Sequence, residues 1–363
     1  MKKSRQLFLA HTLPGFEAIA SDEIATVLEG ARVRGTRSVA EKNSMVLFDY
    51  AGDAEDLLAL RTVEDVFAVV ATLDHPPPTR ATLQLLETAA LRATNIEPAL
   101  ALLRQLAPGR GGKGKLRFRV IARQVGTALY RRVDAQMALE RGLAQRGDHR
   151  WQVVEDGGIE FWLTLLPSEA IVALRLSDER MRQREYKLEH MPGSLRPSAA
   201  AALAWLTGPT PGDVFLDPMC GAGTVLIERA HMGRYRQLLG GDANPDAVDM
   251  ALGNIGPRYK PIEVQHWDAR ALPLDAGSVN AAAVNLPFGK QIGSVAENRQ
   301  LYPAFLREMV RVLRPGAPLV ALTGDRRTLE ESLRRANMLA RRKVFPVEVL
   351  GQPASVYVIE RGS

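Results

Sequence analysis

Three aspartates and one tetrapeptide have the residue types and spacing to do chemistry. Asp217, Asp242 and Asp268 lie 25 and 26 residues apart. Each closes a short apolar run that reads as a strand. After Asp217 comes Pro-Met-Cys-Gly-Ala-Gly-Thr224, a turn in which Gly221 and Gly223 allow close approach to a ligand where a Cβ would clash. The dinucleotide fingerprint would place a third glycine at position 226, which is leucine here, so the pyrophosphate rationale fits poorly. An acid at that strand end suits a ligand bearing an amino group, such as the amino-acid end of S-adenosylmethionine. Asp242 is then placed to accept from ribose hydroxyls, and Asp268 from an adenine amino group. One such acid could be a helix cap; three in succession are harder to explain that way.

The tetrapeptide is Asn285-Leu286-Pro287-Phe288. An exocyclic amine on a base is a poor nucleophile because its lone pair is delocalised into the ring. Asn285 can accept one N–H through its side-chain oxygen. The Leu286 carbonyl, constrained by the following proline, can accept another. Phe288 offers a face for a base swung out of its stack. Held this way, the nitrogen would be aimed at an already activated methyl group, and much of the rate would come from positioning. The one cysteine, Cys220, sits inside the glycine turn with no base beside it. It reads as a small packing residue rather than a nucleophile for pyrimidine carbon 5.

Positioning these groups requires strands alternating with helices. Strands are expected at residues 214–216, 237–241, 262–265, 281–284 and 319–323, after an alanine-rich helix at 196–207. A terminal strand pair is expected at 342–350 and 355–361. That rhythm implies an α/β fold with an open, mostly parallel sheet of the Rossmann kind. The first third reads as strand 6–10, helix 16–28 (apolar at Ile19, Ile24, Val27 and Leu28), strand 44–50, helix 53–60 and strand 65–72. The triplet Pro76-Pro77-Pro78 marks a boundary. Beyond it come helices at 82–93 and 98–106, a glycine-rich basic loop at 109–114, strand 116–122, helix 131–145, and strands at 151–155, 160–165 and 171–176.

This second module holds most of the charge. Between Arg110 and Arg150 there are eleven Lys or Arg against three Asp or Glu, whereas the whole chain carries +6. A basic module on a near-neutral body implies a polyanionic partner, bound through release of counterions. Its expected contacts are Arg110, Lys113, Lys115, Arg117, Arg119, Arg123, Arg131 and Arg132. A period of two puts Arg117, Arg119 and Arg123 on one face of a sheet. The chain has 363 residues, with 46% hydrophobic and 24% charged. That suits two or three globular domains, with no apolar run long enough for a membrane span. A clean signal peptide is absent at the start, so a cytoplasmic protein is expected. One cysteine and six scattered histidines exclude a cysteine-rich metal site or an internal disulfide, and no metal is expected.

Taken together, Pro192-Gly-Ser-Leu-Arg-Pro-Ser198, the run from Asp217 to Thr224, and Asn285-Leu-Pro-Phe-Gly289 resemble the THUMP-domain RNA guanine-N2 methyltransferases. Within them the likeness is greatest to the tRNA enzymes that modify guanine 6 of the acceptor stem. It covers nearly the whole chain. Thr12-Leu-Pro-Gly-Phe-Glu17 is similar to the opening of the family's N-terminal ferredoxin-like domain, and the segment 117–176 to a THUMP core. The resemblance implies a ferredoxin-like domain at 1–75, a THUMP RNA-binding domain at 76–177, a linker at 178–192, and a Rossmann methyltransferase domain with a seven-stranded sheet at 193–363. It implies S-adenosylmethionine lined by Leu195, Arg196, Pro197, Ser198, Asp217, Cys220, Gly221, Gly223, Thr224, Asp242, Ala243, Asp268, Ala269 and Asn285. It further implies a tRNA partner, a monomer, and a guanine held by residues 285–288. Leu286 departs from the common Asn-Pro-Pro-Tyr pattern, which weakens a DNA-adenine assignment. An rRNA guanine-N2 methyltransferase, or an RNA-binding protein with an inactive methyltransferase domain, are the alternatives.

Overall fold

The computed structural model describes residues 5–39, 43–110, 115–189, 191, 193–289, 293–349 and 351–363. Two sheets organise them. The first is built from β1 (Gln6–Thr12), β2 (Arg32–Arg37), β3 (Ser44–Tyr50), β4 (Asp65–Asp74), β5 (Lys115–Gln124), β6 (Arg150–Val153), β7 (Ile159–Leu165) and β8 (Glu169–Arg175). Its order is β2-β3-β1-β4-β8-β7-β5-β6. The proline triplet follows β4, yet β8 returns to pair antiparallel with β4, from Phe67 opposite Arg175 to Asp74 opposite Glu169. Residues on both sides of the triplet therefore share one sheet.

Helices α1 (Glu17–Val27), α2 (Ala54–Leu58), α3 (Ala81–Arg92), α4 (Ile96–Leu106) and α5 (Arg132–Ala144) accompany this sheet. Alternation decides what β5 buries: Leu116, Phe118, Val120 and Ala122 join the core with Ala135, Ala138 and Leu139 of α5. The expectation for the first helix needs one correction, since Val27 is exposed while Ile19, Ile24 and Leu28 are buried. Strand β2 was not expected. It is an edge strand carrying Arg32, Arg34 and Arg37 with a register shift at Gly35, so its sequence shows little apolar signal.

The second sheet is built from β9 (Val214–Asp217), β10 (Gln237–Asp242), β11 (Ile262–His266), β12 (Ala281–Asn285), β13 (Pro318–Thr323), β14 (Leu339–Val349) and β15 (Gln352–Arg361), ordered β11-β10-β9-β12-β13-β15-β14. Neighbours from β11 to β13 are parallel, and β15 runs antiparallel to both its partners. This is the Rossmann-like, seven-stranded, mostly parallel sheet read from the sequence. Its faces are covered by α6 (Pro197–Leu206), α7 (Thr224–His231) and α8 (Pro245–Ile255) in one core, and by α9 (Val295–Val312) and α10 (Arg326–Leu333) in the other. Burial on both faces explains why β12 is Ala-Ala-Ala-Val before its asparagine. The order reverses between β9 and β12, which are parallel neighbours. Such a switch point leaves a crevice at the carboxyl ends of the strands, where ligands of these folds bind.

Candidate functional site

Asp217 and Asn285 end the two strands that flank the switch point. Both line a cavity of about 320 Å3. The same cavity is lined by Cys220, Gly221, Thr224, Asp242, Ala243, Asp268, Ala269 and the whole run from Asn285 to Phe288.

Its floor is the turn after β9. The Gly221 amide donates to Asp242 Oδ2 at 3.0 Å, and the Cys220 amide to the Gly241 carbonyl at 2.9 Å. Asp242 Oδ1 accepts from the Asn244 amide at 3.0 Å. Two glycines are demanded by this geometry. Gly223 opens α7 at φ +77°, a left-handed conformation costly for other residues. At Gly241 a Cβ would fall 2.3 Å from Trp267 Cε2. Trp267 is buried there, with Nε1 donating to the Pro218 carbonyl at 3.0 Å. The third acid, Asp268, is gripped by Arg270, whose Nη2 lies 2.6 Å from Oδ2; that hydrogen bond holds its carboxyl below the usual range.

Asp217 has the opposite electrostatics. It is 2% exposed, and burial, aided by Asp242, pushes its carboxyl up to about 8. A buried acid whose one donor among the described residues is the Met219 amide (3.4 Å) is poised to accept a cationic or hydrogen-rich group. Burial, with Asp217 and Asp242 beside it, also pushes the Cys220 thiol well up. A thiol so protonated is no nucleophile.

The tetrapeptide forms the opposite wall. Asn285 Nδ2 donates to the Gly193 carbonyl at 3.3 Å, which sets the orientation of the amide. Its Oδ1 is then buried with no hydrogen-bond partner among the described residues. Burial of an unpaired acceptor costs about 1–3 kcal/mol, so a ligand that donates there recovers it. The loop is braced from below. The Pro287 carbonyl accepts from Tyr302 Oη at 2.6 Å and from Asn298 Nδ2 at 3.1 Å. Tyr302 Oη also lies 2.8 Å from Thr323 Oγ1, and Asn298 reaches Asp325. Phe288 occupies the space that a Cβ on Gly324 would take.

A family model for the RMKL-like methyltransferase domain, UPF0020, matches residues 184–352. The match is confined to this segment of the C-terminal half. The matched residues contain the whole lining of the cavity, from the segment before α6 to the start of β15. The chain is 34% identical over 263 residues to the human tRNA (guanine(6)-N(2))-methyltransferase THUMP3, covering 68% of this chain and 51% of that one. It spans about half the length of the curated mammalian relatives it matches. A tRNA (guanine(6)-N2)-methyltransferase of Thermus thermophilus is 27% identical over 357 residues, 97% of this chain and 98% of the relative. The crystal structure of TrmN from Thermus thermophilus superposes with a TM-score of 0.78 at 25% identity, covering 99% of this chain and 100% of that one.

Not every residue expected at the cofactor site reaches the cavity. Leu195 does, but Arg196 and Ser198 turn to the buried Glu64 of the other half: Arg196 Nη1 is 3.1 Å from both its oxygens, and Ser198 Oγ is 3.2 Å from Oε1. Pro197 is the first residue of α6 and is absent from the lining of the UPF0020 cavity. Conversely, Met191, Ser194, Leu301, Val349 and Gln352 line it and were not expected. Only Ser194 had a signal, its place within the run 192–198 that carries the family resemblance; the others arrive by tertiary packing.

The basic residues divide by surroundings. Arg110, Lys115, Arg117, Arg131 and Arg132 are exposed. Arg131 pairs with Asp134 at 2.9 Å, and Arg132 Nη1 donates to the Ala122 carbonyl at 2.8 Å. Arg119 is held by Asp156 and Glu160. Arg123 is buried, donating to Thr164 Oγ1, the Asn43 carbonyl and His11 Nε2, and burial lowers its guanidinium to about 10. Lys113 lies outside the described residues. Among the described residues no helix is long and apolar enough to cross a membrane, and no cluster of three His, Cys, Asp or Glu could hold a metal.

Proposed function

We propose that this protein methylates the exocyclic N2 amine of a guanine in tRNA, at position 6 of the acceptor stem, with S-adenosylmethionine as donor. The observation that carries the proposal is the orphaned Asn285 Oδ1, buried in the same cavity as Asp217 at the switch point of a methyltransferase sheet. The names and full-length coverage of the Thermus relatives support the choice of RNA and base.

The residues present fit the cofactor. Asp217 would receive the ammonium of its amino-acid end, Asp242 the ribose hydroxyls and Asp268 the adenine amine. Each Asp242 oxygen already accepts one backbone amide but keeps a further lone pair. When bound, S-adenosylmethionine supplies a sulfonium-activated methyl group. This chain's own contribution is to hold the acceptor. Asn285 Oδ1 and the Leu286 carbonyl take the two amine hydrogens, which turns the nitrogen lone pair out of conjugation. The same acceptors favour the positive charge that builds on nitrogen as its bond to carbon forms. Phe288 stacks on the flipped base, and Tyr302 and Asn298 hold the loop at Pro287. Residues 1–75 and 76–177 act as the ferredoxin-like and THUMP portions, and the latter docks the acceptor end as a monomer in the cytoplasm.

The test is transfer of label from S-adenosylmethionine to tRNA, rRNA or DNA, with identification of the modified nucleoside. N2-methylguanosine in tRNA supports the reading. Label only in rRNA would move the substrate to the ribosome, and label only in DNA would end the RNA reading.

A further inference from the structure

Asn285 is not alone among the residues lining the cavity in holding a buried acceptor without a partner among the described residues. Gln352 is the first residue of β15 and the register partner of Val349 on β14, and both line the cavity. Pro353 follows it, which restricts the Gln352 backbone to extended conformations. Gln352 Oε1 is buried with no hydrogen-bond partner among the described residues. Ser194 Oγ is similarly placed, but a hydroxyl can donate as well as accept and so says less about its ligand. The two amide oxygens can only accept. Leu301, Val349, Leu286 and Phe288 line the same cavity and are apolar or aromatic, suited to a planar ring.

A second buried acceptor narrows the choice of base. Beside the amine of adenine or cytosine, the ring nitrogens on the pairing edge are bare acceptors. Guanine differs: its N2 amine is flanked by N1–H, a donor, and O6 follows as an acceptor. A terminal amide offers an acceptor and a donor side by side, the complement of N1–H and O6. Resting on the guanine reading above, we propose that Gln352 reads the N1–H/O6 edge of the target base while Asn285 holds its N2 amine. Gln352 is thereby a specificity-determining residue, and the paired residues Val349 and Gln352 form a wall of the base pocket.

The experiment uses the full chain, labelled S-adenosylmethionine, and tRNA transcripts carrying guanosine or 2-aminopurine at the position the wild type modifies. 2-Aminopurine keeps the N2 amine but has a lone pair at N1 and no O6. In the Gln352→Leu variant the guanosine-to-2-aminopurine ratio of kcat/KM should fall about tenfold to a hundredfold, the range of one bidentate base contact. Gln352→Glu, which keeps an acceptor, should restore part of that ratio. Binding of S-adenosylhomocysteine should stay within about twofold of wild type in both variants, well inside the tenfold that 1.4 kcal/mol represents. An unchanged ratio would overturn the proposal, as would weakened S-adenosylhomocysteine binding with both substrates reduced equally, which would place Gln352 on the cofactor. A wild type that modifies no guanosine would instead overturn the underlying functional reading.

Discussion

Arg61 and Glu228 join the two sheets of the molecule: Arg61 Nε lies 2.5 Å from Glu228 Oε2 and Arg61 Nη2 lies 3.1 Å from Oε1. Arg61 comes from the connection before β4, and Glu228 from α7, the helix that the cofactor turn opens. Tyr186 donates to the same carboxylate, which is fully buried. The neighbouring Arg196–Glu64 contact and the Trp205 Nε1 bond to Asp22 (2.8 Å) tie the same halves together. The two sheets are thereby joined by several polar contacts between side chains.

Removing Arg61 should be costly. Arg61→Ala leaves Glu228 buried without its bidentate partner, a change worth about 3–5 kcal/mol in such pairs. Urea denaturation of the variant should show that loss. Stability equal to wild type would mean that Tyr186 and Arg184, whose Nε lies 3.8 Å from Glu228 Oε1, suffice to compensate the carboxylate.

Asp217 predicts a pH dependence of the cofactor-free protein. Its folded pKa of about 8 stands above the ordinary 3.8. Below about 4 the carboxyl is neutral in both states and its contribution to stability is fully present. As pH rises towards 8 the unfolded chain ionises while the folded one keeps its proton, so stability is lost across that window. Asp217→Asn cannot titrate and should show a flatter stability profile between pH 4 and pH 8 (the limits set by those two values). Parallel profiles for the two proteins would contradict the burial of this acid.

Asn285→Ala should abolish methylation while S-adenosylhomocysteine still binds at least in part, because in the proposed reaction the side chain's unpaired oxygen holds the amine of the acceptor base. Turnover and equilibrium binding measured on the same preparation separate the two. Unchanged turnover would remove Asn285 from the clamp.

On β5 two arginines of one face should behave differently. Arg117 is exposed, and Arg117→Glu should weaken tRNA binding and reduce the slope of log K against log salt by about one. Arg123→Ala should leave that slope alone and lower unfolding free energy by about 1–3 kcal/mol, since Thr164, the Asn43 carbonyl and His11 lose their donor. His11 is kept neutral by burial and by Arg123, so it cannot replace that cation. An altered salt slope in Arg123→Ala would place this residue at the RNA after all.

These contrasts show what local pattern could and could not convey. The strand–acid pairs at Asp217, Asp242 and Asp268 and the run from Asn285 to Phe288 were legible because chemistry and secondary structure coincide within a few residues. The open, mostly parallel character of the second sheet followed from the alternation of strands and helices; its strand order comes from the structure. Arg196 and Ser198 were placed at the cofactor by family resemblance, but their partner in the structure, Glu64, is 132 and 134 residues away. Period-two alternation put Arg117, Arg119 and Arg123 on one face, but only the tertiary structure shows that Arg123 is covered and Arg117 is not. Gln352 was invisible for a related reason. Strand β15 begins at Gln352 and not at 355 as expected, and Gln352 joins the cavity lining through its pairing with Val349 of β14.

The central claim is that the clamp presents a guanine N2 amine for methylation. The most direct measurement compares label transfer to tRNA bearing guanosine or inosine at the modified position, since inosine lacks only that amine. The account predicts N2-methylguanosine with the first substrate and no label at that position with the second. Equal labelling of both, or label recovered as a methylated adenine or cytosine, would contradict it.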